Sequence, residues 1–322
     1  MKMRILIGVN ITSPYQFLSF ISYYEEKKEL YDEVVIFKYD YWGYNQIYKR
    51  YLDYFLELNG KLIENTSSLS EIISYLKRYY KEALFDFVTV NSPAIKLKLF
   101  FKNSNLIVIA DGLGYYANFS TLINSIRRES KLSISPSRLT IMTIKYLIKK
   151  VFIKLISFEE YTLLRYKDLS LNQTYINNFK SIVGKLKGSI DISTPSLIFL
   201  DQPLVKLGIM NQDEYDRLLE SAYKYSISLG LTFYIKEHPS SINSNQKYKI
   251  IKFDGLLEEL CLLNNNIKHI MSYSSTGLFN ILYLNDFIKV ERTIKNKDIN
   301  MSKKQNKILN KIPYFNLNNT KQ

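Results

Sequence analysis

Short apolar runs alternate with longer segments in which apolar residues recur every three or four positions along the first third of the chain. The short runs predict β-strands, and the spaced pattern predicts amphipathic helices between them. The predicted strands are residues 4–10, 33–39, 84–91 and 105–110, and the predicted helices are residues 15–29, 45–59 and 69–83. Because these strands show little polar alternation, the pattern favours an α/β fold whose parallel sheet is covered on both faces.

The same alternation returns in the last part of the chain, after a middle stretch of basic helical patterns that contains no predicted strand. The later predicted strands are residues 196–200, 232–236, 249–253, 269–273 and 287–290, and the later predicted helices are residues 213–229, 256–263 and 276–283. Residues 184–189 read as a linker because they combine glycine, lysine and serine. We therefore predict two Rossmann-like α/β domains facing a central cleft. They are residues 1–188, with a basic helical insertion at about 113–183, and residues 189–322.

Ligands of such sheets bind beyond the carboxyl ends of the strands, so polar residues at strand ends are the candidates for chemistry. The first such end is Asp111-Gly112, which follows the apolar run 106–110. A carboxylate in that position can act as a general base, and a glycine lets the backbone approach a ligand closely. The alternative interpretation is that Asp111 caps the turn that follows it.

The second polar strand end contains Lys236, followed after one residue by His238-Pro239. The proline biases the preceding histidine towards an extended conformation just beyond the strand. A histidine held there, close to a lysine, can donate to a phosphate oxygen or protonate a leaving group. The alternative is a purely structural histidine.

The third polar strand end is Ser274-Ser275-Thr276, which lies between a predicted strand and a predicted helix. Hydroxyl groups together with the free N–H groups at a helix N-terminus form a natural phosphate site. A simple serine N-cap is the alternative, although several hydroxyl residues in a row exceed what capping requires.

The charge of the chain is strongly positive, since 44 Lys and Arg stand against 30 Asp and Glu, a formal net charge of +14. Such a charge attracts nucleic acid, an anionic membrane surface or a phosphate-bearing substrate, and compositional drift is the alternative explanation. A single cysteine, Cys261, excludes a disulfide framework within the chain, and two histidines leave no basis for a histidine-rich metal centre. We expect no metal requirement and no cofactor.

The apolar stretch at residues 139–158 contains four lysines, which a membrane-spanning window would not tolerate, and residues 4–10 are too short for a signal-peptide core. We therefore expect a cytoplasmic protein. On a helix, Lys145 and Lys149 lie near one face, and aliphatic residues such as Ile144, Ile148 and Val151 lie on another. This arrangement suits a helix lying in an anionic membrane interface, with peripheral contact at the inner face of the membrane. The alternative is that the apolar side packs against the first domain.

The three motifs, in this order and at these spacings, resemble those of the bacterial sialyltransferases, which share an acidic-Gly, a His-Pro and a Ser-Ser/Thr motif. Residues 197–204, which include Gln202, are similar to the opening of the second domain in the polysialyltransferase-like and glycosyltransferase family 52 relatives. The resemblance implies a GT-B architecture, CMP-sialic acid as donor and inversion at the anomeric carbon. It also implies a glycan acceptor such as a terminal galactose of a capsular or surface polysaccharide, which a lipid carrier could hold.

By the same resemblance, Asp111 deprotonates the acceptor hydroxyl, His238 contacts the CMP phosphate, and Ser274 with Ser275 binds that phosphate. A glutamate before the serine motif holds the ribose, and its hydrophobic neighbours favour Glu259 over Glu258. The remaining positions assigned to the donor are Gly112, Gln202, Lys236, Pro239 and Thr276. One departure is that family members often have two acids before the glycine, where this chain has Ala110 and then Asp111.

Two other functions are open. A CDP-glycerol glycerophosphotransferase-like enzyme has the same architecture and similar motifs, but such enzymes usually carry an aspartate where this chain has Ser272. A non-enzymatic basic protein that binds a membrane or nucleic acid would need a continuous stripe of basic and aromatic residues. Tyrosines and lysines are instead spread through most of the predicted helices, and no nucleic-acid-binding motif is present, so no nucleic-acid partner is expected.

Overall fold

The computed structural model describes residues 2–38, 47–64, 68–110, 112–121, 123, 135–186, 188, 190, 192–237, 247–294 and 301–316. The chain divides into two compact units. The first unit is Met1–Tyr115 with Ser137–Lys187, and the second unit is Tyr116–Pro136 with Gly188–Gln322. The segment 116–136, which the sequence analysis assigned to the insertion of the first domain, is thus grouped with the second unit.

The first unit is built on a six-stranded sheet in the order β3-β2-β1-β4-β5-β6, in which every pair of neighbouring strands is parallel. Its strands are β1 (Arg4–Val9), β2 (Glu33–Phe37), β3 (Lys61–Ile63), β4 (Leu84–Val90), β5 (Asn105–Ile109) and β6 (Glu159–Tyr161). Its helices are α1 (Pro14–Lys27), α2 (Lys49–Glu57), α3 (Leu69–Tyr79), α4 (Ile95–Phe100), α5 (Pro136–Leu155) and α6 (Gln173–Lys185).

The central strands form where consecutive residues are apolar, so that both faces of the strand are apolar. In β1 the residues from Ile5 to Val9 are all buried, as a parallel strand covered by helices requires. The following helix begins sharply, because Ser13 and Gln16 make a reciprocal capping box and Pro14 occupies the first turn. These local signals explain why the predicted strand and helix are found where the sequence places them.

The prediction that the middle of the chain contains no strand is wrong, because β6 pairs with β5 at the edge of the first sheet. Its sequence, Glu-Glu-Tyr, has no apolar run by which it could be recognised. The strand is held by tertiary contacts, since Tyr161 packs edge-on against Tyr23 and Tyr175 with ring centroids 5.0 and 5.1 Å away. Two further short elements of the first unit, β3 and α4, were also not predicted.

The second unit has a five-stranded parallel sheet in the order β11-β10-β7-β8-β9. Its strands are β7 (Ser196–Leu200), β8 (Thr232–Lys236), β9 (Lys249–Ile250), β10 (Ile267–Ser272) and β11 (Lys289–Arg292). Its helices are α7 (Gln212–Ser228), α8 (Leu257–Leu263), α9 (Thr276–Leu284) and α10 (Lys303–Leu309). Two parallel α/β sheets are therefore present, as the alternation of the sequence predicts. None of the helices in the described ranges is long and apolar enough to cross a membrane.

Candidate active site

Three neighbouring strands of the second sheet end at the same level. Leu200 of β7 is in register with Lys236 of β8 on one side and with Ser272 of β10 on the other. The residues that follow β7 and β10 therefore emerge side by side at the carboxyl edge of the sheet, where ligands of α/β sheets bind. Gln202 and Ser274, which the sequence analysis assigned to the donor site, both lie at this edge.

The side chain of Gln202 links the ends of β7 and β10. Its Oε1 atom accepts a hydrogen bond from the backbone N–H of Ser274 at 2.8 Å and another from the Ser272 hydroxyl at 3.2 Å. The Ser272 hydroxyl is also 3.0 Å from the carbonyl oxygen of Leu200, to which it can donate. One carboxamide thus holds the start of the serine loop, residues 273–275, against the neighbouring strand.

Asp201 precedes Gln202 in the chain and stabilises the end of β7. The sequence pattern did not lead to its prediction as a site residue. Its carboxylate is buried, accepts a hydrogen bond from the backbone N–H of Gln202 at 2.7 Å and accepts another from the Tyr215 hydroxyl. The signal that could have identified it is a carboxylate placed directly after the apolar run 197–200, the same signal that pointed to Asp111.

The serine loop runs into α9 through an N-cap. The Ser275 hydroxyl accepts a hydrogen bond from the backbone N–H of Gly277 at 3.1 Å, so the capping role that the sequence allowed is present. A Cβ atom at Gly277 would lie 2.8 Å from Cδ2 of Leu257, so the Leu257 side chain would have to move to admit a side chain there. Thr276 is the first residue of the helix.

A buried polar cluster lies around the end of β8. The Asn280 amide donates a hydrogen bond to Glu258 at 2.6 Å, and both side chains are almost completely buried. Burial raises the pKa of the Glu258 carboxyl above its ordinary value, although the hydrogen bond from Asn280 and the nearby Lys236 ammonium oppose the shift. Burial also lowers the pKa of Lys236, against the favourable influence of Glu258. The adjacent Glu259 is fully buried as well.

Asn280 is a second functional candidate that sequence analysis missed. It lies in α9, whose sequence Thr-Gly-Leu-Phe-Asn-Ile-Leu-Tyr-Leu is otherwise strongly apolar. A lone amide inside such a helix has to find a buried hydrogen-bond partner, because an unpaired one is costly. That partner, Glu258, lies in α8 and could not be identified without the fold.

The remaining predicted site residues lie in the first unit or outside the described residues. Gly112 is buried, has a left-handed backbone conformation with φ of 56°, and begins a short 3-10 helix in the first unit. Asp111, His238 and Pro239 lie outside the described residues. Among the residues that are described, no three or more His, Cys, Asp and Glu side chains converge as a metal site. The predicted roles of the individual residues stay predictions.

Comparison with known proteins identifies the family. Residues 9–293, most of the chain, match the family model described as alpha-2,8-polysialyltransferase (POLYST). The chain belongs to this family. The resemblance to the sialyltransferases that the three motifs indicate is therefore confirmed, and the protein is a glycosyltransferase of a sialyltransferase family. No curated protein matches this member of the polysialyltransferase family in sequence.

Several solved structures are similar to this polysialyltransferase family member in fold. A 2,6-sialyltransferase from Photobacterium sp. JT-ISH-224, in complex with CMP and lactose, is 14% identical over 95% of this chain and 75% of its own, with a TM-score of 0.48. The GT-B domain of a sialyltransferase from Photobacterium damselae is 12% identical over 95% and 96%, with a TM-score of 0.47. A UDP-N-acetylglucosamine 2-epimerase from Listeria monocytogenes is 9% identical over 99% and 86%, with a TM-score of 0.53. The predicted GT-B class is confirmed, with two Rossmann-like units each built on a parallel sheet.

Proposed function

We propose that the protein transfers sialic acid from CMP-sialic acid to a glycan acceptor, with inversion at the anomeric carbon. The observation that carries this proposal is the family match over residues 9–293. The geometry of the second unit supports it, because the loop held by Gln202 places the hydroxyls of Ser274 and Ser275 directly before a helix. Such a loop is suited to a phosphate group.

The proposed roles follow the predicted motifs. Ser274 and Ser275 bind the CMP phosphate together with the first N–H groups of α9, and His238 contacts the same phosphate as CMP departs. Asp111 is the base that takes the proton of the acceptor hydroxyl, and Glu259 holds the ribose. Because CMP leaves with a single phosphate, hydrogen bonds and cationic groups can stabilise its departure without a metal bridging two phosphates, so we propose a metal-independent reaction.

We also propose the glycan acceptor of the reaction and the location of the enzyme in the cell, both from the proposed sialyltransferase activity. A terminal galactose of a capsular or surface polysaccharide is the acceptor that the resemblance implies, and membership of the alpha-2,8-polysialyltransferase family adds a sialic acid-terminated chain as a second proposed acceptor. Bacterial surface glycans are commonly assembled on lipid carriers at the cytoplasmic side of the membrane. We therefore place the enzyme in the cytoplasm, associated peripherally with the inner face of the membrane.

Thermal unfolding in the presence of nucleotides tests the donor. A ligand that binds only the folded protein stabilises it by about 2.7 kcal/mol at a hundredfold excess over its Kd, so CMP should raise the unfolding temperature in a concentration-dependent way. Ser274→Ala should weaken this effect, whereas Ser228→Ala, an exposed serine of α7 that contacts only the helix backbone, should leave it unchanged.

Thermal unfolding also distinguishes the proposed sialyltransferase from the CDP-glycerol glycerophosphotransferase-like alternative. A shift produced by CDP-glycerol, with no shift from millimolar CMP, would instead support a glycerophosphotransferase. A steep salt-dependent affinity for nucleic acid without any nucleotide effect would support the non-enzymatic alternative.

A further inference from the structure

The helix α5 exposes an uninterrupted stripe of aliphatic side chains. Six of them are more than half exposed, from 51% at Ile144 to 76% at Leu155. The six are Ile141, Ile144, Leu147, Ile148, Val151 and Leu155. Scattered apolar residues are normal on a protein surface, but a contiguous group of this kind marks a site of interaction.

The stripe follows one side of the helix. Five of its members are spaced by three, four, three and four residues, which keeps all six within an arc of about 120° around the helix axis. From Ile141 to Leu155 the stripe is about 21 Å long at the rise of an α-helix. The half-buried residues Leu139, Met142 and Tyr146 lie on the opposite side. The helix therefore packs with that side, and the alternative in which the aliphatic stripe packs in the core is wrong.

The charge around the stripe indicates what covers it. Residues 130–158 contain six Lys and Arg and no Asp or Glu. At about 100° per residue, the positions of Arg138, Lys145 and Lys149 lie along one border of the stripe, and Lys154 lies along the other. An aliphatic stripe bordered by basic positions is complementary to a surface that is apolar inside and anionic outside. A second copy of the helix would bring like charges together instead.

We propose that α5 lies flat in the interface of an anionic phospholipid bilayer, with the aliphatic stripe below the headgroups and the basic residues at their level. The proposal rests on the proposed function only for its purpose, which is to bring the enzyme to an acceptor carried by lipid. It assigns the membrane contact to one surface, and that surface lies on a different element from the residues assigned to the donor.

Flotation of the full chain with vesicles tests the contact. The protein should float with vesicles of phosphatidylcholine and phosphatidylglycerol, less at high salt, and should not float with phosphatidylcholine alone. The combined Ile144→Gln, Ile148→Gln and Val151→Gln substitutions should lower the partition coefficient roughly tenfold or more. The unfolding temperature should stay unchanged, because these side chains are exposed in the folded protein.

A matched variant controls for the general loss of surface hydrophobicity. Leu30→Gln, Leu56→Gln and Ile227→Gln remove three aliphatic side chains that lie outside α5 and are 50 to 57% exposed, and this variant should float like the wild type. Both variants should retain wild-type activity towards a water-soluble acceptor. If the wild type shows no activity towards this acceptor, the proposed function is contradicted. The flotation result would still stand, because it does not depend on activity.

Insertion is distinguished from adsorption by a fluorescent probe. Because Cys261 is fully buried and is the only cysteine of the chain, Ile148→Cys provides an accessible thiol for a polarity-sensitive dye. Its emission should shift to the blue on anionic vesicles, whereas a dye at Ile227→Cys should not shift. Unchanged emission at position 148, or equal flotation of the stripe variant and wild type, would overturn the proposal. A concentration-dependent dimer that the stripe variant abolishes would assign the stripe to a second copy and equally overturn it.

Discussion

A single carboxamide oxygen, that of Gln202, determines where the serine loop starts relative to β7. Gln202→Glu keeps an oxygen acceptor for the Ser274 N–H and the Ser272 hydroxyl, so the unfolding free energy should change little. The added negative charge should repel the CMP phosphate and weaken CMP binding roughly tenfold. Isothermal titration with CMP measures this.

Gln173→Glu is the control for this prediction, since it makes the same change at an exposed position in the first turn of α6. It should leave CMP affinity unchanged. Equal CMP affinity of Gln202→Glu and wild type would mean that the phosphate does not bind at this loop.

The role of Asp111 as base can be tested although its neighbour Ala110 departs from the family pattern. Asp111→Asn keeps the size of the side chain but removes its capacity to accept a proton, so turnover should fall about 100-fold while CMP affinity stays unchanged. Asp168→Asn, at an exposed aspartate whose carboxylate accepts hydrogen bonds from Ser170, should retain full turnover. Turnover of Asp111→Asn near that of wild type would place the base elsewhere.

The buried Glu258 makes the stability of the second unit depend on pH. Because burial raises its pKa, the folded protein retains a proton that the unfolded chain has already released. The protonated Glu258 carboxyl makes its full contribution to the unfolding free energy below the pKa of an ordinary glutamate. This contribution is lost as the pH rises through the raised pKa that Glu258 has in the folded protein. The difference in unfolding free energy between wild type and Glu258→Gln should therefore move in favour of the variant as the pH rises.

Urea unfolding over a pH series measures this difference. Glu220→Gln should show the opposite trend, because hydrogen bonds from Lys247 and Tyr248 lower the pKa of the half-buried Glu220 carboxyl. Its contribution is present above the pKa of an ordinary glutamate and is lost as the pH falls. A pH-independent difference for Glu258→Gln would show that this carboxyl titrates normally.

At the level of elements, the N-cap of α9 should combine a structural and a binding role. Ser275→Ala removes the acceptor for the Gly277 N–H and should cost about 1 kcal/mol of stability. Ser68→Ala removes a comparable cap from α3 in the first unit and should cost a similar amount. Only Ser275→Ala should also weaken CMP binding, as measured by titration. Equal CMP affinity in both variants would limit Ser275 to capping.

The elements that the sequence predicts best are those whose local pattern and burial agree. Strands β7 and β8 are found at the predicted bounds, because their apolar runs are flanked by turn residues and lie near the centre of the sheet. The edge strands β3 and β6 have three residues each and include charged side chains, so their conformation depends on pairing with β2 and β5. The pairing of an edge strand with its neighbour cannot be predicted from the local pattern of residues.

For the whole molecule, the order of the motifs predicted the GT-B class and the family, and the strand-end rule predicted that the serine loop lies at the carboxyl edge of the sheet. Gln202 was assigned to the donor site by the resemblance alone. The supporting contacts were not predictable. Asp201, which follows β7, depends on Tyr215 of α7, and Glu258 of α8 depends on Asn280 of α9. Their proximity is a property of tertiary packing, whereas the motifs are local.

Transfer itself is the most direct test of the proposed function. The purified chain is incubated with CMP-sialic acid and with oligosaccharides that end in galactose or in sialic acid, and the products are analysed by mass spectrometry. We expect the mass of at least one acceptor to increase by one or more sialic acid residues, with release of CMP. An unchanged mass for every acceptor, together with a mass increase of one glycerol phosphate when CDP-glycerol replaces the donor, would contradict it.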